Sequence, residues 1–102
     1  FPFQSKNVLH SHWLYTIQLS EKVDRNLILE KLGKGGIETR PVFYPLHQMP
    51  PYKKFKTSKS LEISNSFSRN SLSFPSFEAL EDFEIKYITK EFINISKKLY
   101  EK

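Results

Sequence analysis

Apolar positions recur with two different periods along this chain, and each change of period marks a change of element. From His12 to Leu19 the order His-Trp-Leu-Tyr-Thr-Ile-Gln-Leu sets Trp13, Tyr15, Ile17 and Leu19 on one side of an extended backbone. Alternation of rings and β-branched residues predicts a strand with those four facing the core. Asp24 then stands where a carboxylate can accept from the free amides of a first helical turn. Leu27, Ile28 and Leu32 form a helical stripe over Arg25 to Lys34, and Gly35-Gly36 supplies a left-handed exit. Ile37 to Val42 reads as a second strand.

The second half repeats the theme. Pro50 and Pro51 can open a single helical turn through Lys54, since proline is tolerated at a helix start. Ile63 and Phe67, four apart, predict a short helix within Lys59 to Asn70. Ser71 to Phe74 reads as a third strand closed by Pro75. From Asp82 to Tyr100 the spacing of Ile85, Ile88, Phe92, Ile95 and Leu99 predicts a long helix with one buried stripe. Acidic residues load its start and lysines its end, in line with the helix dipole. The expected fold is α+β, one domain over residues 1–102: a small mixed or antiparallel sheet with helices packed on one face.

The least regular stretch carries the most chemistry. Gly36 to Tyr52 reads Gly-Ile-Glu-Thr-Arg-Pro-Val-Phe-Tyr-Pro-Leu-His-Gln-Met-Pro-Pro-Tyr. Proline fixes φ and removes an amide donor, so four prolines turn a strand exit into a stiff, extended ribbon. Arg40, Tyr44, His47 and Tyr52 are the candidate ligand-facing side chains. Arg40 can fork onto a carboxylate or phosphate of a ligand, or pair with a neighbouring Glu or Asp. His47 is held between Pro45 and Pro50. Tyr44 and Tyr52 can equally be packed rings with their hydroxyls at the surface, and Trp13 reads as core.

Composition narrows the alternatives. Hydrophobic residues are 38% and charged residues 26% of the 102, as in an ordinary globular domain, and aromatics reach 15%. The net charge of +5 gathers around Lys53, Lys54, Lys56 and Lys59. Lysines without interleaved arginines read as a solvated face, which argues against nucleic acid, although a basic α+β module binding nucleic acid or a protein partner is the competing reading. The absence of cysteine excludes disulfides and agrees with a reducing, cytoplasmic setting. No apolar run is long enough to span a membrane. The chain starts Phe-Pro-Phe, without an initiator Met, which suggests a piece of a longer polypeptide.

Catalytic constellations are hard to assemble. His10 and His12 lack a third ligand or carboxylate nearby, so no metal site is expected. No serine sits in a Gly-x-Ser-x-Gly turn. The close glycines end a helix instead of opening one, so there is no phosphate-cradling loop.

Taken together, His-x-Trp-Leu-Tyr, then Gly-Ile-Glu-Thr-Arg-Pro, Phe-Tyr-Pro-Leu-His-Gln-Met-Pro-Pro-Tyr and Leu-Ser-Phe-Pro-Ser before a final amphipathic helix form a familiar series. The chain resembles the C-terminal small domain of the DegT/DnrJ/StrS sugar aminotransferases, above all their perosamine-synthase-like members, from about Asn7 to Lys98. Phe74 departs from the family's usual Leu. The resemblance implies the small domain of a fold-type I pyridoxal-phosphate (PLP) enzyme. Such an enzyme transfers an amino group from glutamate to a nucleotide-linked keto-sugar and works as a homodimer. It implies that a large domain holds PLP and the Schiff-base lysine, so that this chain alone binds no cofactor, has no catalytic residue and is inactive. It further implies that Arg40, Tyr44, His47 and, more weakly, Tyr52 border the active-site mouth and bind the nucleotide-sugar.

Overall fold

The computed structural model describes residues 5–55 and 60–100. The rings of Phe1 and Phe3 and the lysines at 56, 59 and 102 lie outside the described residues. Elements follow in the order β1 (Tyr15–Gln18), α1 (Arg25–Lys34), β2 (Arg40–Pro41), a 3₁₀ turn (Leu46–Gln48), α2 (Glu62–Asn70), β3 (Ser71–Phe74) and α3 (Asp82–Tyr100). The three strands form one antiparallel sheet in the order β1-β3-β2. The expected α+β architecture is what forms.

β3 is the central strand, and its register sorts the side chains. Ile17 stands opposite Leu72 and Tyr15 opposite Phe74. That face meets α1 and α3: Ile28, Leu32 and Leu72 are fully buried together, with Leu19, Val23 and Ile37 at the margin. Thr16 stands opposite Ser73 on the other face, and Arg40 is Ser73's partner from the far side. Thr16 Oγ1 and Ser73 Oγ lie 2.8 Å apart in a hydrogen bond. The sheet therefore has an apolar face under two helices and a polar face that Arg40 joins.

Both ends of α1 form as expected. Asp24 Oδ1 accepts from the amides of Asn26 and Leu27 at 2.8 and 3.4 Å. At the exit, the Ile37 amide donates to Leu32 O at 3.0 Å and the Gly36 amide to Gly33 O at 3.0 Å. With Gly36 at φ +76°, this is a Schellman ending, and the hydrophobic contact that accompanies it is between Leu32 and Ile37, both in the core.

The third predicted strand forms over Ser71–Phe74 as read, and the other two come out shorter. β1 begins at Tyr15, not at His12, and Trp13 is 69% exposed, not core. β3 pairs only as far as Phe74, and Pro75 has no amide to continue the ladder, so residues before Tyr15 have no cross-strand partner. His12 adds a left-handed turn (φ 51°), its amide donating to His10 Nδ1 at 2.8 Å. β2 shrinks to two residues because Ile37 is engaged in closing α1, while the Val42 amide makes one further, long contact of 3.4 Å to Ser71 O. After the 3₁₀ turn the Lys53 amide reaches Met49 O at 3.1 Å, the single helical turn expected behind Pro50 and Pro51.

α3 spans the expected residues, with Glu84 Oε2 accepting from the Glu81 amide at 2.9 Å at its start. Its stripe is half-buried instead of buried. Ile88, Phe92, Ile95 and Leu99 pack against the core, whereas Ile85 is 45% exposed and borders a groove of about 550 Å³ shared with Phe74 and Phe77. In α2 the helix forms but its apolar pair does not pack: Ile63 is 88% exposed. Its polar side turns inward instead.

Candidate functional site

The four candidate side chains lie along one segment that leaves the sheet edge. Arg40 starts it, on β2 and on the polar face of the sheet. Its guanidinium is held by Glu38 Oε1, with Nη2 at 2.9 Å and Nε at 3.2 Å, and both side chains are more than three-quarters exposed. The local ion pair, one of the two partners the sequence allowed, is the one formed. Such an exposed pair is worth little and opens readily for a better anion.

Beyond Pro41 the ribbon is exposed on one side and anchored on the other. Phe43 and Tyr44 are exposed, as are Leu46, Tyr52 and Phe55. Pro45 (φ −59°, ψ 134°) ends the extended run and sets up the 3₁₀ turn in which His47 sits. His47 Nε2 lies 2.8 Å from Asn65 Oδ1, and Gln48 Nε2 donates to the same oxygen at 2.6 Å. One turn along α2, Ser68 Oγ donates to Phe43 O at 3.0 Å. Asn65 and Ser68 are three apart and share a helix face. The serine-rich helix thus grips the ribbon with polar groups, which explains why its apolar pair is left outside.

An amide oxygen can only accept, so the His47–Asn65 contact places the hydrogen on His47 Nε2. When the ring is neutral, its Nδ1 is then the acceptor. Behind Asn65 stands Glu62, whose Oε1 accepts from Arg69 Nη2 at 2.8 Å. Hydrogen bonds from Arg69 and then Asn65, with the Arg69 charge, hold the Glu62 carboxyl below its ordinary value.

The structure does not join the four candidates into one cluster. Among the described residues no hydrogen bond or ion pair links Arg40, Tyr44, His47 and Tyr52 to one another. They form a string on an exposed ribbon, anchored at His47. Asn65 and Ser68 were not singled out from sequence. Their signal is only the excess of small polar residues in a helix whose apolar stripe is too thin. The His10 and His12 rings stack at 4.6 Å, but no group of three or more His, Cys, Asp or Glu able to hold a metal occurs among the described residues.

Comparison with known proteins agrees with this architecture. Residues 1–93 match the DegT/DnrJ/EryC1/StrS aminotransferase family. The chain is 34% identical over 87 residues to the GDP-perosamine synthase of Vibrio cholerae, covering 83% of this chain and 24% of that protein. It is 36% identical over 78 residues to the GDP-perosamine synthase of Caulobacter vibrioides, covering 74% of this chain and 21% of that protein. Among solved structures, Helicobacter pylori PseC, an aminotransferase involved in the biosynthesis of pseudoaminic acid, superposes with a TM-score of 0.70 at 25% identity, over 79% of this chain and 22% of PseC. The chain spans about a quarter of the length of the relatives it matches. With the fold and nearly all of its length in agreement, the chain belongs to the DegT/DnrJ/EryC1/StrS aminotransferase family.

Proposed function

We propose that this chain is the C-terminal small domain of a longer, PLP-dependent aminotransferase that moves an amino group from glutamate to a nucleotide-linked keto-sugar. In the net reaction the amino group and the carbonyl oxygen change places, and glutamate leaves as 2-oxoglutarate. Three relatives named as GDP-perosamine synthases support the substrate class. The enzyme would be a cytoplasmic homodimer, with this chain as one domain.

Among the described residues every lysine is exposed and none borders the groove beside Phe74, so none of them sits in a cleft where a Schiff base to PLP would be held. Holding the cofactor falls to the rest of the polypeptide in this reading. This chain contributes the ribbon: Arg40 for a phosphate or carboxylate, His47 and Tyr44 for sugar or nucleotide polar groups, and Tyr52 at its end.

The observation that carries the reading is the one-sided anchoring of the ribbon. Rings and a cation stay exposed while His47, Gln48 and the Phe43 carbonyl are hydrogen-bonded to α2. An exposed segment held this firmly is suited to meet a ligand with little loss of freedom. The complete polypeptide, supplied with PLP, 2-oxoglutarate and GDP-perosamine, tests it in the reverse direction. Glutamate formed together with a GDP-linked keto-sugar supports the proposal, and no glutamate overturns it.

A further inference from the structure

We infer that Asn65 is the positioning residue for His47: it fixes the ring's tautomer and aim, and through the ring sets affinity for the nucleotide-sugar. The inference rests on the substrate-facing reading of the ribbon given above. His47 is half-buried in a three-residue turn, and turns of that length do not by themselves fix a side chain. Its aim comes from the 2.8 Å contact to Asn65 Oδ1.

Asn65 is itself held by more than the histidine. Its oxygen receives a second donor from Gln48 Nε2 at 2.6 Å. A flipped amide would set Nδ2 against the Gln48 donor and lose the acceptor that His47 and Gln48 share, so the observed orientation is the one that serves both. The backbone is tied in parallel by Ser68 Oγ to Phe43 O, three residues further on the same helix. The result is a ring whose Nε2–H is committed to the protein and whose Nδ1 acceptor is left for a hydroxyl or N–H of the ligand. Once protonated, the same edge offers a donor to phosphate. Asn65 touches no ligand in this arrangement and acts only through His47.

The test uses the complete polypeptide and GDP-perosamine as the probe, with binding measured by calorimetry and kinetics by the KM and kcat of the same compound. Four variants are compared with wild type: His47→Ala, Asn65→Leu, the double variant, and Asn65→Asp, which keeps an accepting oxygen. His47→Ala and Asn65→Leu should each weaken binding about 10-fold, the scale of one lost hydrogen bond to a polar ligand, through KM with kcat little changed. The double variant should be no weaker than either single one, because a residue acting through His47 has nothing left to position once the ring is gone. Asn65→Asp should recover most of the affinity.

Wild-type affinity in Asn65→Leu, or losses that add in full in the double variant, would overturn the inference while leaving the ribbon's role intact. Wild-type affinity in His47→Ala, or no binding of GDP-perosamine to the wild type, would overturn the substrate-facing reading and the inference with it.

Discussion

Phe74, the last residue of the central strand, meets Phe92 of the long helix edge to face, with ring centroids 5.2 Å apart and planes at 85°. This one contact joins the apolar face of the sheet to the middle of α3. It also forms a wall of the open groove, so Phe92 is only half-buried. Phe92→Ala should therefore destabilise the domain by about 3 kcal/mol, the lower end for deleting a packed ring. Exposed Lys97, changed to alanine, should alter stability by less than about 0.5 kcal/mol. Urea unfolding of the two variants checks the face: equal effects would mean that α3 does not pack by this stripe.

Two glycines three residues apart should respond in opposite directions. Gly33 lies inside α1 with open space where a Cβ would go, so Gly33→Ala should stabilise by about 0.5–1 kcal/mol through helix propensity. Gly36 holds φ +76° in the Schellman ending, where a side chain is strained, and Gly36→Ala should cost about 1–2 kcal/mol. Thermal melts of both variants read the signs directly. A stabilising Gly36→Ala would show that the left-handed exit is not required.

Much of the fold was legible because it depends on local signals. The Asp24 cap, the glycine exit and the periodicity of α3 each need only neighbours in sequence, and each formed where expected. Pro75 marked the end of β3, but the start of β1 was not legible, since Trp13 alternates correctly yet has no partner once β3 stops at Phe74. Nor was the packing face of α2. Ile63 and Phe67 have the right spacing for a buried pair, but Asn65 and Ser68 find hydrogen-bond partners across 18 and 25 residues of chain. The ribbon itself was legible as a segment, from its prolines and polar rings. Its anchoring was not, because contacts made across the fold leave no periodic trace.

The Glu62 clamp predicts an acid-sensitive contribution to stability. Its carboxyl is held below the ordinary 4.5 by hydrogen bonding to Arg69 and then Asn65. A group lowered in the folded state stabilises above its unfolded pKa, and that contribution is lost as pH falls through the folded value. The wild type should therefore be slightly more stable than Glu62→Gln at neutral pH, with the difference closing in acid below the usual glutamate range. Urea midpoints of both proteins across that range measure it. A difference that persists in acid would show that charge at Glu62 is not the cause.

The last prediction separates binding by the ribbon from the chemistry of the rest of the enzyme. Arg40 is exposed and paired only with equally exposed Glu38, so its guanidinium can exchange that partner for an incoming anion at small cost. If it does, Arg40→Ala in the complete polypeptide should slow the reaction with GDP-perosamine and leave that with glutamate nearly unchanged. Loss of one charge-assisted hydrogen bond corresponds to about 1.5–3 kcal/mol, roughly 10- to 150-fold in kcat/KM for the sugar. Glu38→Gln supplies the control in the opposite sense. Removing the competing carboxylate frees Arg40, so sugar binding should hold or tighten, whereas a purely structural Arg40–Glu38 pair would make the two substitutions equally damaging. Single-turnover measurement with each substrate distinguishes these outcomes. Wild-type rates for Arg40→Ala with the sugar would leave Arg40 as a partner of Glu38 and nothing more.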